Sequence, residues 1–438
     1  MKRRYIFLIY RAGGWGGVQF YIKAKSCWLA GLGYEVEVMY SEEENGGFLD
    51  GIESLRCRHV KWLGRSPRSF SSRLLCSVLS QMAGEHAGDY METTVESASL
   101  PLGLWGEMLA RECGGRHILY MQSEKYVTPT RSMRKFLQHK YDQRLLYGIS
   151  GDMMAAILPG IDGDRTYLYA TGNADVEPVS YAGDTYSFHN LPKADLTLLT
   201  IGRFEKGITR AVIRGAAEYC RAGAGRRINI LILGDAADAV LRDRVLGYGA
   251  GCRGLHVEHV GFVNPMPLDA FLKADLCICN SGCAVVASRH LPVVTVDARD
   301  LKAIGILEEE TMSLIHRLPE EPPVEISRII ERMVAEKEEV RKRRQSNPAT
   351  GTLWRRRMKE KGDFSAHAAI LAQTPLRQDY YYPVENVWRC PLRECVWILA
   401  RMAGGEPLVE MIKRFAGRCR IIAGEFALKH SIKQGHAL

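Results

Sequence analysis

Short apolar runs alternate with amphipathic stretches over the first three-quarters of the chain. Tyr5 to Tyr10 (YIFLIY) is strand-like and breaks into a glycine-rich loop, GGWGGV at 13–18. A helix-like segment follows, and then a second apolar run, Tyr34 to Tyr40. Further on, Arg56 to Trp62 reads as a short strand and Ser71 to Ala83 as a helix. Gly103 to Glu112 reads as another helix running into the strand HILYMQ (117–122). Tyr141 to Tyr147 reads as strand and Gly151 to Leu158 as helix. Strands alternating with helices predict a parallel sheet covered by helices on both faces.

A loop-rich stretch at about 171–194 interrupts the pattern, which then restarts. LTLLTIGRF (196–204), INILILGDA (228–236), LHVEHVGFV (255–263), DLCICNSG (275–282) and PVVTVDA (292–298) are five strand-like runs with helices between them. A charged helix is expected from Val324 to Gln345. Toward the end, Leu408, Met411, Ile412, Phe415, Cys419, Ile422 and Phe426 recur at helical spacing. This stripe reads as a helix packed on the body, or as a basic amphipathic helix lying on a membrane. The expected organisation is a Rossmann-like domain over 1–190, a second over 191–362 and a basic helical extension over 363–438. The fold class is α/β, with two doubly wound domains and a cleft between them.

Charge and cysteine content narrow the partners. The formal net charge of +9 attracts polyanions, and Arg341 to Arg344 and Arg355 to Arg357 concentrate it. Such runs most often form a solvated helix face. The basic run has no interleaved aromatic platform, so nucleic acid is not an expected partner. Twelve cysteines occur without any CxxC pair, which gives no support to zinc-ribbon or redox motifs and fits reduced thiols in a cytoplasmic protein. The apolar run at the start is too short for a secretory signal, and no stretch approaches 18 apolar residues.

Four strand ends finish in small or polar residues: GGWGGV (13–18), GRFEKG (202–207), GDA (234–236) and NSGCA (280–284). In an open parallel sheet, ligands bind beyond the carboxyl ends of the strands. Glycine lets the backbone approach a phosphate, and a helix start offers N–H groups with partial positive charge. Three such loops in the second half, one carrying Arg203 and Lys206, form a candidate diphosphate pocket in which a guanidinium and an ammonium neutralise charge. The opening loop departs from a dinucleotide fingerprint, because no third glycine follows in register, although Glu37 lies at about the spacing of the ribose-binding acid. No GK[ST] follows, so it is not a P-loop. No His/Cys/Asp cluster has metal-ligand spacing, and no metal or other cofactor is expected.

In their order and spacing these segments resemble the GT-B glycosyltransferases of the large retaining family that includes sucrose synthase and many bacterial polysaccharide and lipopolysaccharide enzymes. GGWGGVQFYIKAKSCWLAGLGYEVEVMY is similar to that family's opening glycine loop, helix and strand. TIGRFEKGI resembles its donor-phosphate element and ILILGDA its glycine turn. HVGFVNPMPLDAFLKADLCICNS, YATGNADVEP and HILYMQSEKY are similar to further family segments. The resemblance covers about 1–315. It implies a nucleotide-sugar substrate on the second domain and a glycan or lipid-linked acceptor on the first. Arg203 and Lys206 would carry the catalysis, with donor contacts from Gly202, Gly207, Gly234, Asp235, Ser281, Gly282, Cys283 and Ala284. Gly14, Gly16, Gly17, Gln122 and Glu124 would line the acceptor side, and the basic tail would hold the enzyme at the inner face of the membrane. Two departures stand out. Where the family has a pair of glutamates, one of them on the nucleotide ribose, this chain has NSGCAVVASRHLPVV with none, and the Arg-to-Lys spacing is shorter by two. A non-catalytic relative and a sugar-nucleotide epimerase on the same fold are the alternatives. His290 reads as structural, and Glu124 equally as a solvated loop carboxylate.

Overall fold

The computed structural model describes residues 2–387, apart from 14–15, 43–48, 50–51, 85–89, 123–128, 169–175, 183–187, 189, 237, 347–350, 362–363 and 373–379. The apolar stripe expected between Leu408 and Phe426 lies outside these residues.

The first sheet contains β1 (Lys2–Ile9), β2 (Tyr34–Tyr40), β3 (Leu55–His59), β4 (Tyr90–Ser97), β5 (Arg116–Met121) and β6 (Leu146–Gly148). Their spatial order is β3-β2-β1-β4-β5-β6, and every pairing is parallel. The second sheet contains β7 (Leu196–Ile201), β8 (Ile228–Leu233), β9 (Leu255–Gly261), β10 (Leu276–Cys279), β11 (Val293–Val296) and β12 (Ala303–Ile306). Its order, β12-β11-β10-β7-β8-β9, repeats the first when each sheet is counted from its own first strand, except that β12 runs antiparallel. Both sheets are therefore doubly wound Rossmann-like units, and in each the strand order reverses beside the first strand.

Each sheet is covered on both faces, as its near-continuous apolar strands require. In β1, Tyr5, Phe7 and Ile9 pack into one layer, and Ile6 and Leu8 into the other, the two-residue alternation of a strand. In β7, Leu196 and Leu198 face one layer while Leu199 and Ile201 face the opposite one.

Three elements escape the pattern reading. β4 lies at the centre of the first sheet, but its sequence, YMETTVES, is polar; Thr94, Glu96 and Ser97 are nonetheless buried. The helix Arg131–Asp142 buries Met133, Phe136, Leu137 and Lys140, a helical stripe disguised by a lysine. It occupies the start of the stretch read as a strand at 141–147, where only Leu146–Gly148 pairs. The short β12 closes the edge of the second sheet.

After the helices Ile326–Ser346 and Leu353–Lys361 the chain returns to the first domain. Phe364 and Ile370 enter one core layer of that domain, and Val384 and Val387 enter the other.

Candidate functional site

In a doubly wound sheet the crevice forms beyond the carboxyl ends of the strands, where the strand order reverses. In the first domain that point follows β1 and β4, and in the second it follows β7 and β10. A cavity of about 590 Å³ lies where the two sets of loops face one another. Gly16, Gly17, Val18 and Phe20 line it after β1, and Gln122, Ile149, Ser150 and Gly151 after β5 and β6. From the second domain come Gly202, Arg203 and Lys206 after β7, Gly234 after β8, Phe262 to Asn264 after β9, and Ser281 to Cys283 after β10. Met312 to His316, Trp354 and Met358 also line it.

The loops after β7 and β8 fit only with glycine. Gly234 has φ +149°, and a Cβ there would stand 2.1 Å from the Gly202 carbonyl oxygen. The Gly202 N–H donates to the Leu233 carbonyl at 3.0 Å, and the Gly234 N–H to the Gly261 carbonyl at 2.9 Å. Gly207, in the left-handed region at φ 81°, ends the turn Phe204–Lys206 and caps the helix Ile208–Arg221. Arg203 is exposed at the cleft and forms no ion pair with a described residue. Ser281 has φ 62°, unusual for a residue with a side chain. Its N–H donates to the Leu314 carbonyl at 2.9 Å, which holds the strained turn in place.

The wall segment Met312–Leu318 is fixed by acids that do not line the cavity. Ser313 Oγ and the Leu318 N–H both donate to the Glu321 carboxylate, at 2.7 and 2.6 Å. Asp297 is fully buried and accepts from Arg299 and from the Arg317 N–H. Burial opposes its charge, but the Arg299 side chain and these N–H groups outweigh it and hold its carboxyl well below the usual range. His316 lines the cavity, with Nδ1 3.6 Å from Asp297. The helix bearing Trp354 is anchored at its start by the Glu308 carboxylate, which accepts from the N–H groups of Leu353 and Trp354 at 3.1 and 2.8 Å.

Ten of the residues expected at the site line the cavity: Gly16, Gly17, Gln122, Gly202, Arg203, Lys206, Gly234, Ser281, Gly282 and Cys283. Gly207, Asp235 and Ala284, expected as donor contacts, do not line it. The Asp235 carboxylate accepts from the Ala236 N–H at 2.7 Å and its carbonyl from the Phe204 N–H at 3.1 Å, while Ala284 is fully buried. Gly14 and Glu124 lie outside the described residues. The segment around His316 and the pair Trp354 and Met358 carried no signal in the sequence, since they follow the last glycine loop and Trp354 leads into a run of arginines. Among the described residues no group of three His, Cys, Asp or Glu side chains could hold a metal ion, and no helix is long and apolar enough to cross a membrane.

No protein-family model matches the chain, and no curated protein matches it in sequence. Solved structures similar to it include a glycosyltransferase from Rickettsia africae, with 14% identity over 85% of this chain and 100% of that one, TM-score 0.49. A pneumococcal O-GlcNAc transferase in complex with UDP and GlcNAc shares 8% identity over 85% and 100%, TM-score 0.49. The UDP-GlcNAc 2-epimerase from Neisseria meningitidis bound to UDP-GlcNAc shares 12% over 77% and 92%, TM-score 0.43. Likenesses this remote carry no assignment, which has to come from the residues of the cleft.

Proposed function

We propose that the protein is a glycosyltransferase that takes a sugar from a nucleoside diphosphate sugar held on the second domain. The acceptor, a cell-surface glycan or a lipid-linked sugar, would sit against the first domain. The observation that carries this reading is the convergence of the loops after β7, β8 and β10 on one cavity, with Arg203 and Lys206 at its edge. No carboxylate lines that cavity among the described residues, so its field favours a dianionic group. As the bond from sugar to phosphate breaks, negative charge grows on the departing diphosphate. A guanidinium and an ammonium already in place stabilise that charge without reorganising. The Ser281 turn brings the backbone of Gly282 to the same place, at the start of a helix where N–H groups face outward. Retention of configuration and independence of metal belong to this reading. So does residence at the inner membrane face.

One observation favours an epimerase on the same fold: His316 lines the cavity with the Asp297 carboxylate behind it. That reading predicts interconversion of a sugar nucleotide with no acceptor present.

A thermal-shift series with UDP, GDP, ADP, CDP and their common sugar conjugates tests the donor site, with wild type run beside Arg203→Ala. A ligand that binds only the folded state at about 100 times its Kd stabilises by about 2.7 kcal/mol. The expected result is a shift for one nucleotide class that is lost in Arg203→Ala. No shift with any of them would end the nucleotide-sugar reading.

A further inference from the structure

The second-domain side of the cleft combines a cationic edge with an apolar wall that no phosphate needs. Trp354 and Met358 come from the helix Leu353–Lys361, which packs against the short helix Ser281–Ala287. The Trp354 ring and Leu314 lie together on Val285 and Met358, and the Arg357 guanidinium stands 5.6 Å from the ring centroid. The indole thus belongs to the wall beside the Ser281 turn. Phe262, by contrast, follows β9 at the far edge of the sheet.

The described carboxylates near this wall are engaged elsewhere, Glu177 among them, paired with Arg289 and Arg355. Asp297 is held by Arg299 and Arg317, and Glu308 by the helix start at Leu353 and Trp354. Glu310 pairs with Arg332, and Glu321 holds Ser313 and Leu318. None of them lines the cavity. Among the described residues, a sugar ring with two vicinal hydroxyls would therefore meet no acid on this side. A flat aromatic ligand would meet an indole fixed at its base by backbone hydrogen bonds.

We propose that the second domain holds the nucleoside of its ligand by stacking the base on Trp354, with no carboxylate grip on the ribose hydroxyls. This rests on the nucleotide-sugar reading and adds to it how the nucleoside is recognised. Stacking is tolerant of base identity because every base has a π-face. Selectivity between bases then falls to hydrogen bonds at the base edge, and selectivity between ribose and deoxyribose is weak.

Isothermal titration of the full chain tests this with UDP, GDP, ADP and CDP, their 2′-deoxy counterparts, and inorganic pyrophosphate. Wild type is compared with Trp354→Leu, which keeps apolar bulk, and Trp354→Phe, which keeps a π-face. For the nucleotide that binds, the 2′-deoxy form is expected to bind within about 3-fold of the ribose form. Trp354→Leu should weaken the nucleoside diphosphate by at least about 10-fold, given the usual worth of base–aromatic stacking. It should leave pyrophosphate unchanged, and Trp354→Phe should recover most of the loss. A loss of about 10-fold or more on removing the 2′-hydroxyl overturns the proposal, as does an unchanged Kd in Trp354→Leu. Equal weakening of pyrophosphate also overturns it, since that would mark Trp354 as a support for the Ser281 turn. In those three cases the nucleotide-sugar reading survives. If pyrophosphate binds wild type and no nucleoside diphosphate does, both fall together.

Discussion

Lys140 donates from Nζ to the Glu107 carboxylate at 2.9 Å, with both side chains sealed inside the first domain. His117 Nδ1 reaches the same oxygen at 2.8 Å, and the Tyr382 N–H donates to the other at 2.9 Å. Burial alone would raise the Glu107 pKa, but Lys140 and His117 outweigh it and hold the carboxyl well below its ordinary value. Removing one partner of a buried pair leaves an uncompensated charge and costs about 3–5 kcal/mol. Lys140→Met is therefore expected to lower unfolding stability by about that much in a guanidinium titration. The double variant Lys140→Met/Glu107→Leu should recover much of the loss; an equal or larger loss in the double variant would contradict this account.

The same cluster makes stability sensitive to acid. His117 is pushed down to about 4 by burial and by the Lys140 charge, against the pull of Glu107. A free histidine titrates near 6.5, so between about pH 6.5 and 4 the unfolded chain binds a proton that the folded chain refuses. Stability therefore falls as pH falls through that window, by up to about 3 kcal/mol from His117. Glu107 adds to the loss below its unfolded pKa of about 4.3, because it stays ionised in the fold while its unfolded counterpart is protonated. Denaturation midpoints at pH 7, 5.5 and 4.5 should decline in wild type and flatten over the upper part of the range in His117→Gln.

Gly234→Ala should damage the proposed nucleotide site more than the fold. Its φ of +149° disfavours any side chain, and the new Cβ would press on the Gly202 carbonyl carbon and oxygen, which are backbone atoms unable to rotate away. The loops after β7 and β8 must then separate, carrying Arg203 with them. A stability loss of about 1–3 kcal/mol is expected, together with loss of the nucleotide-induced thermal shift. An alanine variant that retains the full shift would show that the contact between these loops does not shape the site.

Phe364 lies beyond the second domain in the chain, yet it packs on the first. Its ring stacks on Trp28 at 5.3 Å, and His367, three residues on, contacts the buried Lys25 at 2.9 Å. Phe364→Ala is expected to destabilise the first domain by about 3–5 kcal/mol. Hydrogen exchange should then quicken in β1 and β2 while β7 and β8 keep their protection. Faster exchange confined to the second domain would contradict the packing.

Much of the fold could be read from the chain because most of its parallel strands, covered on both faces, are near-continuous apolar runs. Tyr5 to Ile9, Leu196 to Ile201, Ile228 to Leu233 and Leu276 to Cys279 announce themselves in this way, and the glycine loops after β1, β7 and β8 mark where strands end at the cleft. β4 did not announce itself. Its Thr94, Glu96 and Ser97 become interior residues only when partners from distant segments arrive: Lys25 and Tyr21 on Glu96, His117 on Ser97. A polar strand can occupy the centre of a sheet if its hydrogen bonds are supplied from elsewhere, and no local pattern records that supply.

The cleft divides along the same line. Glycine positions and the Arg203–Lys206 pair depend on backbone conformation and charge within a few residues, so the sequence by itself determined them. The parts set by the packing of segments far apart in the chain were decided only by the tertiary structure. The Met312–His316 wall, the Glu308 anchor beneath Trp354 and the return of Phe364 to the first domain are such parts, because each depends on contacts whose free energy exists only once both partners are in place.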